Sequence, residues 1–336
     1  MIELDGAHGE GGGQLLRTAL SLSALSGQGV VLYDIRAGRP DPGLKPQHLA
    51  GVHLLRDLCS ARVAGDQVGS RRLEFAPGPL RGGRLRFDVG TAGSLTLMMQ
   101  TVLPALALFP ARTELELVGG TDVRWSPPVD HYQLVLLPLL RRMGLQVEME
   151  VPVRGFYPRG RGRVALRVHG GPLKGLRLRE RGDLLHIAGI SYVQNLPAHV
   201  AERMARAAGQ ELRRDVDVGL QVLQGPSAGA GMVLVVEYEN TVLGWSALGV
   251  RGVPAERVGR EAAQGLAREM EGGGTLDTHT ADQLLPFLAL SGEECGFSVR
   301  EVTGHLDTQL WLLPQFLPVR CAVEGGPPYE VKVIRT

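Results

Sequence analysis

The sequence predicts an α/β (α+β) fold built on a repeated helix–turn–strand unit, with a smaller α/β domain inserted at residues 181–274. Three observations carry this. The chain opens on a strand, a glycine loop and an apolar helix. A switch from helical apolar spacing to a period of about 2 recurs at 46–63, 130–151 and 281–302. Residues 181–274 follow a different order, after which the first grammar resumes, so the larger domain takes residues 1–180 and 275–336.

Taken in order, Ile2 to Leu4 reads as a short strand that runs into Gly9-Glu-Gly-Gly-Gly and then a helix. The second helix begins at Pro46 and carries Leu49, Val52, Leu55 and Leu58 on one face, followed by a strand. Leu85 to Val89 is a strand leading into a second glycine-rich helix start, Gly90-Thr-Ala-Gly-Ser. The helix from Asp130 ends in Arg-Arg-Met-Gly, with Gly144 as its cap, and Gly292 plays the same part after Ala281 to Ser291. Within the insertion, Leu184 to Val193 is a strand and Pro197 to Ala208 a helix. Gly231 to Tyr238 and Val242 to Leu248 form a hairpin around Glu239-Asn240. A charged helix, Pro254 to Glu271, and a Gly272-Gly273-Gly274 linker close it.

Composition excludes several classes. The chain of 336 residues, with 44% hydrophobic and 21% charged residues, is of ordinary globular type. Its formal net charge of +1 rules out a polycation, so any nucleic-acid contact must be a local patch. Cys59, Cys295 and Cys321 are too scattered for a zinc ribbon and suit a reducing compartment. No basic, then apolar, leader precedes the first strand, and apolar runs such as Val102 to Phe109 are too short for a bilayer. The expectation is a cytoplasmic protein without membrane contact.

The glycine loop directs free N–H groups and the positive end of a helix at one spot, which favours phosphate. Glu10 supplies a carboxylate there for a metal ion, and Arg17, a turn further on, a forked phosphate donor. The loop matches neither the P-loop pattern nor the dinucleotide pattern G-x-G-x-x-G. None of the three lysines, Lys45, Lys174 and Lys332, stands in a Lys-x-Asp-Gly context, so covalent nucleotide transfer would need another nucleophile. Arg36, Arg39 and Lys45 share a proline-stiffened loop that ends at a helix start bearing Gln47 and His48, a phosphate or nucleic-acid site or else solvated charge. Tyr157-Pro-Arg-Gly-Arg-Gly-Arg is a second basic loop, which by itself reads as a solvated turn. Gln100 is a polar residue on an apolar helix, either a satisfied core amide or a ligand to a base or ribose. Among nine histidines, His305 stands apart: it follows a strand and a Thr-Gly pair, with Asp307 nearby, and a neutral imidazole is a competent nucleophile toward phosphorus.

Five segments, in order, resemble the RNA 3'-terminal phosphate cyclase family along essentially the whole chain. They are Asp5-Gly-Ala-His-Gly-Glu-Gly-Gly-Gly-Gln-Leu-Leu-Arg, Arg36-Ala-Gly-Arg-Pro with Gln47-His48, Asp88-Val-Gly-Thr-Ala-Gly-Ser, His279-Thr-Ala-Asp-Gln-Leu, and Gly304-His-Leu-Asp-Thr followed by Phe316-Leu-Pro-Val-Arg. The resemblance implies three repeated units of two helices on a four-stranded sheet, with the smaller domain inserted in the third. It implies an ATP-dependent reaction in which His305 takes AMP from ATP and passes it to an RNA 3'-phosphate, giving an RNA(3')pp(5')A end. The vicinal 2'-OH then closes a 2',3'-cyclic phosphate and expels AMP.

By the same resemblance Gln100, His279, Thr280, Ala281, Asp282, Gln283, Leu248 and Arg17 contact ATP. Arg36, Arg39, Gln47 and His48 hold the RNA phosphate, and Glu10 binds Mg²⁺ or Mn²⁺. His279 stands where some relatives have an aromatic against adenine, and Gly304 where some have Cys. The partner implied is RNA with a 3'-phosphate end, and a homodimer is left open. Two other readings compete: a non-catalytic RNA-binding assembly factor of this fold, and an enolpyruvyl transferase-like enzyme.

Overall fold

The computed structural model describes residues 1–336, and the order strand–helix–strand–helix–strand–strand shapes it. The first unit runs β1 (Ile2–Asp5), α1 (Gly13–Ser26), β2 (Val30–Tyr33), α2 (Pro46–Cys59), β3 (Arg62–Ala64) and β4 (Leu73–Ala76). Its sheet has the order β1-β2-β4-β3: β1 and β2 are parallel, joined by the α1 crossover, and the other pairs are antiparallel. The second unit repeats this with β5 (Gly83–Asp88), α3 (Leu95–Ala107), β6 (Arg112–Gly119), a composite helix, β7 (Gln146–Val153) and β8 (Gly162–His169) in the order β5-β6-β8-β7.

That composite helix is α4 (Val129–His131), a π-helical turn Tyr132–Leu136 and α5 (Leu137–Arg142), where periodicity predicts one regular helix. Pro138 has no N–H for the carbonyl four residues back and crowds it. A wider turn just before it absorbs the mismatch.

The chain then enters the inserted domain: β9 (Leu184–Gln194), α6 (Ala198–Leu212), β10 (Asp217–Leu223), β11 (Gly229–Tyr238), β12 (Val242–Leu248) and α7 (Ala255–Glu271), with sheet order β10-β9-β11-β12. Apolar residues of α6 and α7 and one sheet face make its own core around Met204, Met232, Leu234 and Leu266. Where the chain enters and leaves, Arg181 donates to the carbonyls of Glu269, Met270 and Gly274 at 2.6–2.7 Å, capping the end of α7.

The third unit continues with α8 (Thr278–Leu290), β13 (Cys295–Val299), α9 (Gly304–Leu312), β14 (Val319–Glu324) and β15 (Tyr329–Arg335). Its sheet is β13-β15-β14, and the leading strand is reduced to one parallel bridge, Arg177 with Gly296. The third sheet therefore has three full strands where the family resemblance implies four. The short segment after β8 must both cross to this sheet and turn into the insertion, which leaves few residues to pair.

Helices of the three units pack against one another, α1 on α3 and α9, and α8 on α3 and α9, with the sheets outside. Hence α1 is buried without break from Gln14 to Ala24, and α8 is buried along its length except at His279. Helices apolar all round belong in such a centre. The outward sheets alternate instead, as β6 does. No helix is long and apolar enough to cross a membrane.

Candidate active site

The first glycine loop is shaped by its neighbours. Gly9 and Gly11 have φ of 59° and 57°, which L side chains rarely adopt. A Cβ at Gly9 would stand 2.6 Å from Thr308 Oγ1 of α9. The Glu10 N–H donates to that same hydroxyl at 3.4 Å, so the loop of the first unit rests on a helix of the third. Glu10 is thereby set between Arg39 and His305: Oε1 accepts from Arg39 Nη2 at 2.6 Å, and Oε2 pairs with His305 Nδ1.

His305 occupies the first turn of α9, whose cap is Thr303; the Thr303 hydroxyl accepts from Leu306 N at 3.1 Å. Burial lowers the imidazole pKa from its ordinary value, Glu10 opposes this, and Arg17 adds to the lowering. The ring is therefore largely neutral at pH 7. With Nδ1 held by Glu10, Nε2 is the nitrogen left for chemistry.

The start of α2 brings His48 beside Gly13 and Arg17: a Cβ at Gly13 would lie 2.8 Å from His48 Cδ2 and 2.9 Å from Arg17 Nη1. Only glycine leaves that space. Burial, then Arg17, Arg36 and Lys45, push the His48 pKa down to about 3, and its Nδ1 accepts the Lys45 N–H at 3.1 Å. Burial and the nearby Arg39 lower Arg36. Burial alone lowers buried Arg17 to about 10, so it stays charged at neutral pH. Arg17, Arg36 and Lys45 thus stand around His48, with two carboxylates at the edge of the cluster, Glu10 on Arg39 and exposed Asp41 beside Arg36 and Lys45. Such an excess of guanidinium at a helix start is suited to an anion of high charge.

Behind this cluster Gln14, Arg17, Gln100, Tyr132, Asp282 and Gln283 line a narrow cleft between α1, α3 and α8. Asp282 accepts a hydrogen bond from Gln14 Nε2, and burial raises its pKa to about 8 against the opposing pull of Arg17. Gln100 faces the Tyr132 hydroxyl, whose pKa burial raises. The buried Asp277 caps α8, accepting from the N–H groups of His279 and Thr280, from the Thr280 hydroxyl and from Gly244 N. This fixes α8 to β12. There Trp245 lies against exposed His279, ring centroids 4.7 Å apart.

The folded chain thus gathers Glu10, Arg17, Arg39, His48 and His305 at one place, and Gln100, Asp282 and Gln283 in the adjoining cleft. Thr280 and Ala281 are buried in α8 rather than presented to the cleft mouth. Gln47 has both ends of its amide engaged by Ser94, accepting from its N–H at 2.6 Å and donating to its carbonyl at 3.2 Å. Leu248 pairs with Gly231 in the β11–β12 ladder; the aromatic contact to His279 comes from Trp245, three residues earlier. Sequence reasoning passed over Gln14, Tyr132, Trp245 and Thr308. Gln14 and Thr308 lay inside quoted motifs, whereas Tyr132 and Trp245 lay within a helix and a strand with no motif to single them out.

The model of the family described as RNA 3'-terminal phosphate cyclase matches residues 8–323. The chain belongs to the RNA 3'-terminal phosphate cyclase family. It is 45% identical over 341 residues to the RNA 3'-terminal phosphate cyclase of Pyrococcus furiosus, covering 100% of this chain and 99% of that one. Against the protein of that name from Nitrosospira multiformis it is 47% identical over 330 residues, covering 96% and 93%. For Thermococcus kodakarensis the figures are 45% over 345 residues, with 100% and 98% covered. The family match takes in the Glu10 loop and His305 alike, so the two halves of the site belong to one family framework.

Proposed function

We propose that this chain uses ATP to convert an RNA 3'-phosphate into a 2',3'-cyclic phosphate through a histidyl-AMP intermediate on His305. The single observation that carries the reading is the pairing of His305 Nδ1 with Glu10 beside the cationic groups of Arg17 and Arg39. It leaves a neutral Nε2 facing a phosphate-binding environment.

The reaction balances in three displacements. His305 Nε2 attacks the α-phosphorus of ATP; the N–P bond forms and the bond to the β-phosphate oxygen breaks, releasing pyrophosphate. An oxygen of the RNA 3'-phosphate then displaces the imidazole, giving RNA(3')pp(5')A and restoring His305. Last, the vicinal 2'-OH loses its proton and attacks the 3'-phosphorus, and AMP leaves. Adenylation converts a poor leaving group into AMP, and the 2'-OH is already at high effective concentration. Arg17, Arg36 and Arg39 offset the charge that gathers on the phosphates. The family resemblance assigns Gln100, Asp282 and Gln283 to ATP; the cleft they line holds only about 20 Å³ and must open to admit a nucleoside, with Trp245 and His279 offering a stacking face nearby.

No cluster of three His, Cys, Asp or Glu side chains is assembled to hold a metal by itself. A lone carboxylate fits Mg²⁺ or Mn²⁺ bound through Glu10 with water and substrate phosphates as the other ligands. Such an ion would neutralise phosphate charge.

The test is incubation with α-labelled ATP. The expected product is an acid-labile, alkali-stable protein–AMP adduct that maps to His305 and is lost in His305→Ala. No adduct, or an adduct retained in that variant, refutes the reading. The same result separates it from a silent assembly factor and from enolpyruvyl transfer, neither of which calls for AMP on a histidine.

A further inference from the structure

Two loops of the second unit carry aromatic rings into solvent. Trp125 is 96% exposed and Tyr157 77% exposed, more than any other large apolar side chain in the protein. A tryptophan so fully exposed is unusual in a monomer surface. Trp125 also has φ of 66°, a region that bulky L residues rarely occupy. The neighbouring loop holds Arg161 in the same region, at φ 57°.

Both rings stand on firm bases. Val123 and Phe156, beneath them in sequence, are buried. Asp122 and Phe156 form a backbone bridge, and Thr121 N donates to Gly155 O at 2.8 Å, so the two loops are neighbours. Phe156 N donates to the Ser227 hydroxyl at 2.8 Å. The exposed Arg124, Arg159 and Arg161 lie in these loops, and none makes an ion pair. On the open face of the same sheet, by contrast, Arg84 and Arg167 pair with Glu114 and Glu150. Two exposed aromatics among three guanidinium groups without a carboxylate partner, Arg159 donating only to the Pro226 carbonyl at 3.4 Å, form a patch for an anionic chain with flat, stackable groups.

The patch is joined by contact to the Glu10–His305 site. Gly13 abuts His48 on α2, and the adjacent Gln47 grips the Ser94 backbone. Ser94 bridges Gly120, and a Cβ at Gly160 of the basic loop would lie 2.7 Å from Ala92 Cα. These contacts tie the loops of Trp125 and Tyr157 to the two helix starts next to the reacting end.

We propose that Trp125 and Tyr157, with Arg124, Arg159 and Arg161, form a stacking platform for unpaired nucleotides upstream of the RNA 3' end. The proposal rests on the RNA-end reading above and extends it: the platform selects single-stranded over duplex ends and tolerates sequence, because every base offers a π-face. The basic loop, a solvated turn when read alone, gains this role from Trp125, which lies more than thirty residues away in sequence.

The experiment measures binding of 3'-phosphorylated single-stranded RNA by fluorescence anisotropy without ATP, using an oligomer of about a dozen nucleotides and a dinucleotide. Trp125→Ala and Tyr157→Ala, both exposed and so compatible with folding, are expected to weaken the longer RNA about 5- to 50-fold each. They should leave dinucleotide binding and the ATP-derived adduct unchanged. The Trp125 fluorescence of the parent should be quenched by the longer RNA. Arg159→Ala should lower the slope of log affinity against log salt by roughly 0.7. Equal binding of the longer RNA by parent and variants overturns the proposal, as does equal loss for the dinucleotide. A parent dimer that Trp125→Ala converts to monomer in sedimentation also overturns it, assigning the patch to a second copy. If no adduct forms on His305 while Trp125-dependent RNA binding persists, the platform stands and the catalytic reading falls.

Discussion

Replacing Asp282 with Asn tests the electrostatics of the cleft directly. Asp282 is 6% exposed, and burial raises its pKa to about 8 against an ordinary value of 3.8. Between those pH values the folded chain holds one proton that the unfolded chain has released. Stability must then fall as pH rises from about 4 to about 8, and level off above the folded pKa. At about 1.4 kcal/mol per tenfold change in proton affinity, the gap sets an upper limit of about 6 kcal/mol. Water entry and the Gln14 amide beside the carboxylate reduce it, so about 1–3 kcal/mol is expected.

Asn matches the neutral acid in shape and still offers Gln14 an acceptor. Urea unfolding midpoints for parent and Asp282→Asn should therefore coincide at or below about pH 4. They should part as pH rises, with the variant the more stable at pH 8. The reasoning is refuted if the variant is the less stable at pH 7–8. That result would mean an ionised Asp282 compensates buried Arg17, and that removing it strands the cation.

Three further outcomes follow from the geometry. Glu10→Gln removes the group that raises the His305 pKa, so the acid limb of self-adenylation should move to lower pH. The rate at its plateau should fall about 10- to 100-fold as the ring loses its orienting carboxylate; a limb moved upward would contradict the assignment. Arg154 donates to Asp122, Asp130 and Gln221, and its guanidinium lies 4.0 Å from the Tyr192 ring, all at the seam between the second unit and the insertion. Arg154→Met strands two buried carboxylates and should cost about 3–5 kcal/mol, read by thermal unfolding. Gln47→Ala leaves the Ser94 N–H without its acceptor, while the Ser94 carbonyl keeps the Met98 N–H, and should cost about 1–2 kcal/mol, read by denaturant midpoint; no change would mean that the second glycine loop is held by other contacts.

Much of the architecture was legible because segments with one face to solvent show their period. The Pro46–Cys59 helix and the hairpin around Glu239-Asn240 fall where the apolar pattern puts them. α1 and α8 gave only glycine starts and apolar runs, since a helix buried on every side has no polar face to set a period. The π turn at Tyr132–Leu136 was hidden because Pro138 announces a break without saying how the backbone will absorb it. The thinning of the third sheet to a bridge at Arg177 depends on path length, which no local pattern encodes.

In the site the division is similar. Glycine loops and loop arginines were visible because their chemistry is local. The joining of Glu10 to His305 was not legible in composition or spacing, and entered through resemblance alone. Its physical cause is the repetition itself. α1 and α8 are the first helices of units one and three, and α2 and α9 the second. Packing the units helix to helix brings equivalent helix starts together, with Gly13 and His48 on one side and His305 on the other. Each start contributes free N–H groups and partial positive charge, so the centre is electropositive before any arginine is added. One carboxylate in that field does more than a second would. A neutral Asp282 leaves the charge of Arg17 uncompensated by its nearest acid, and Glu10 is shared between Arg39 and His305. The surplus positive charge destabilises the centre by self-repulsion, and on the proposed ATP-dependent reading an entering polyphosphate would relieve it. On that reading the charge that favours phosphate lies beside the ring nitrogen that Glu10 leaves free on His305.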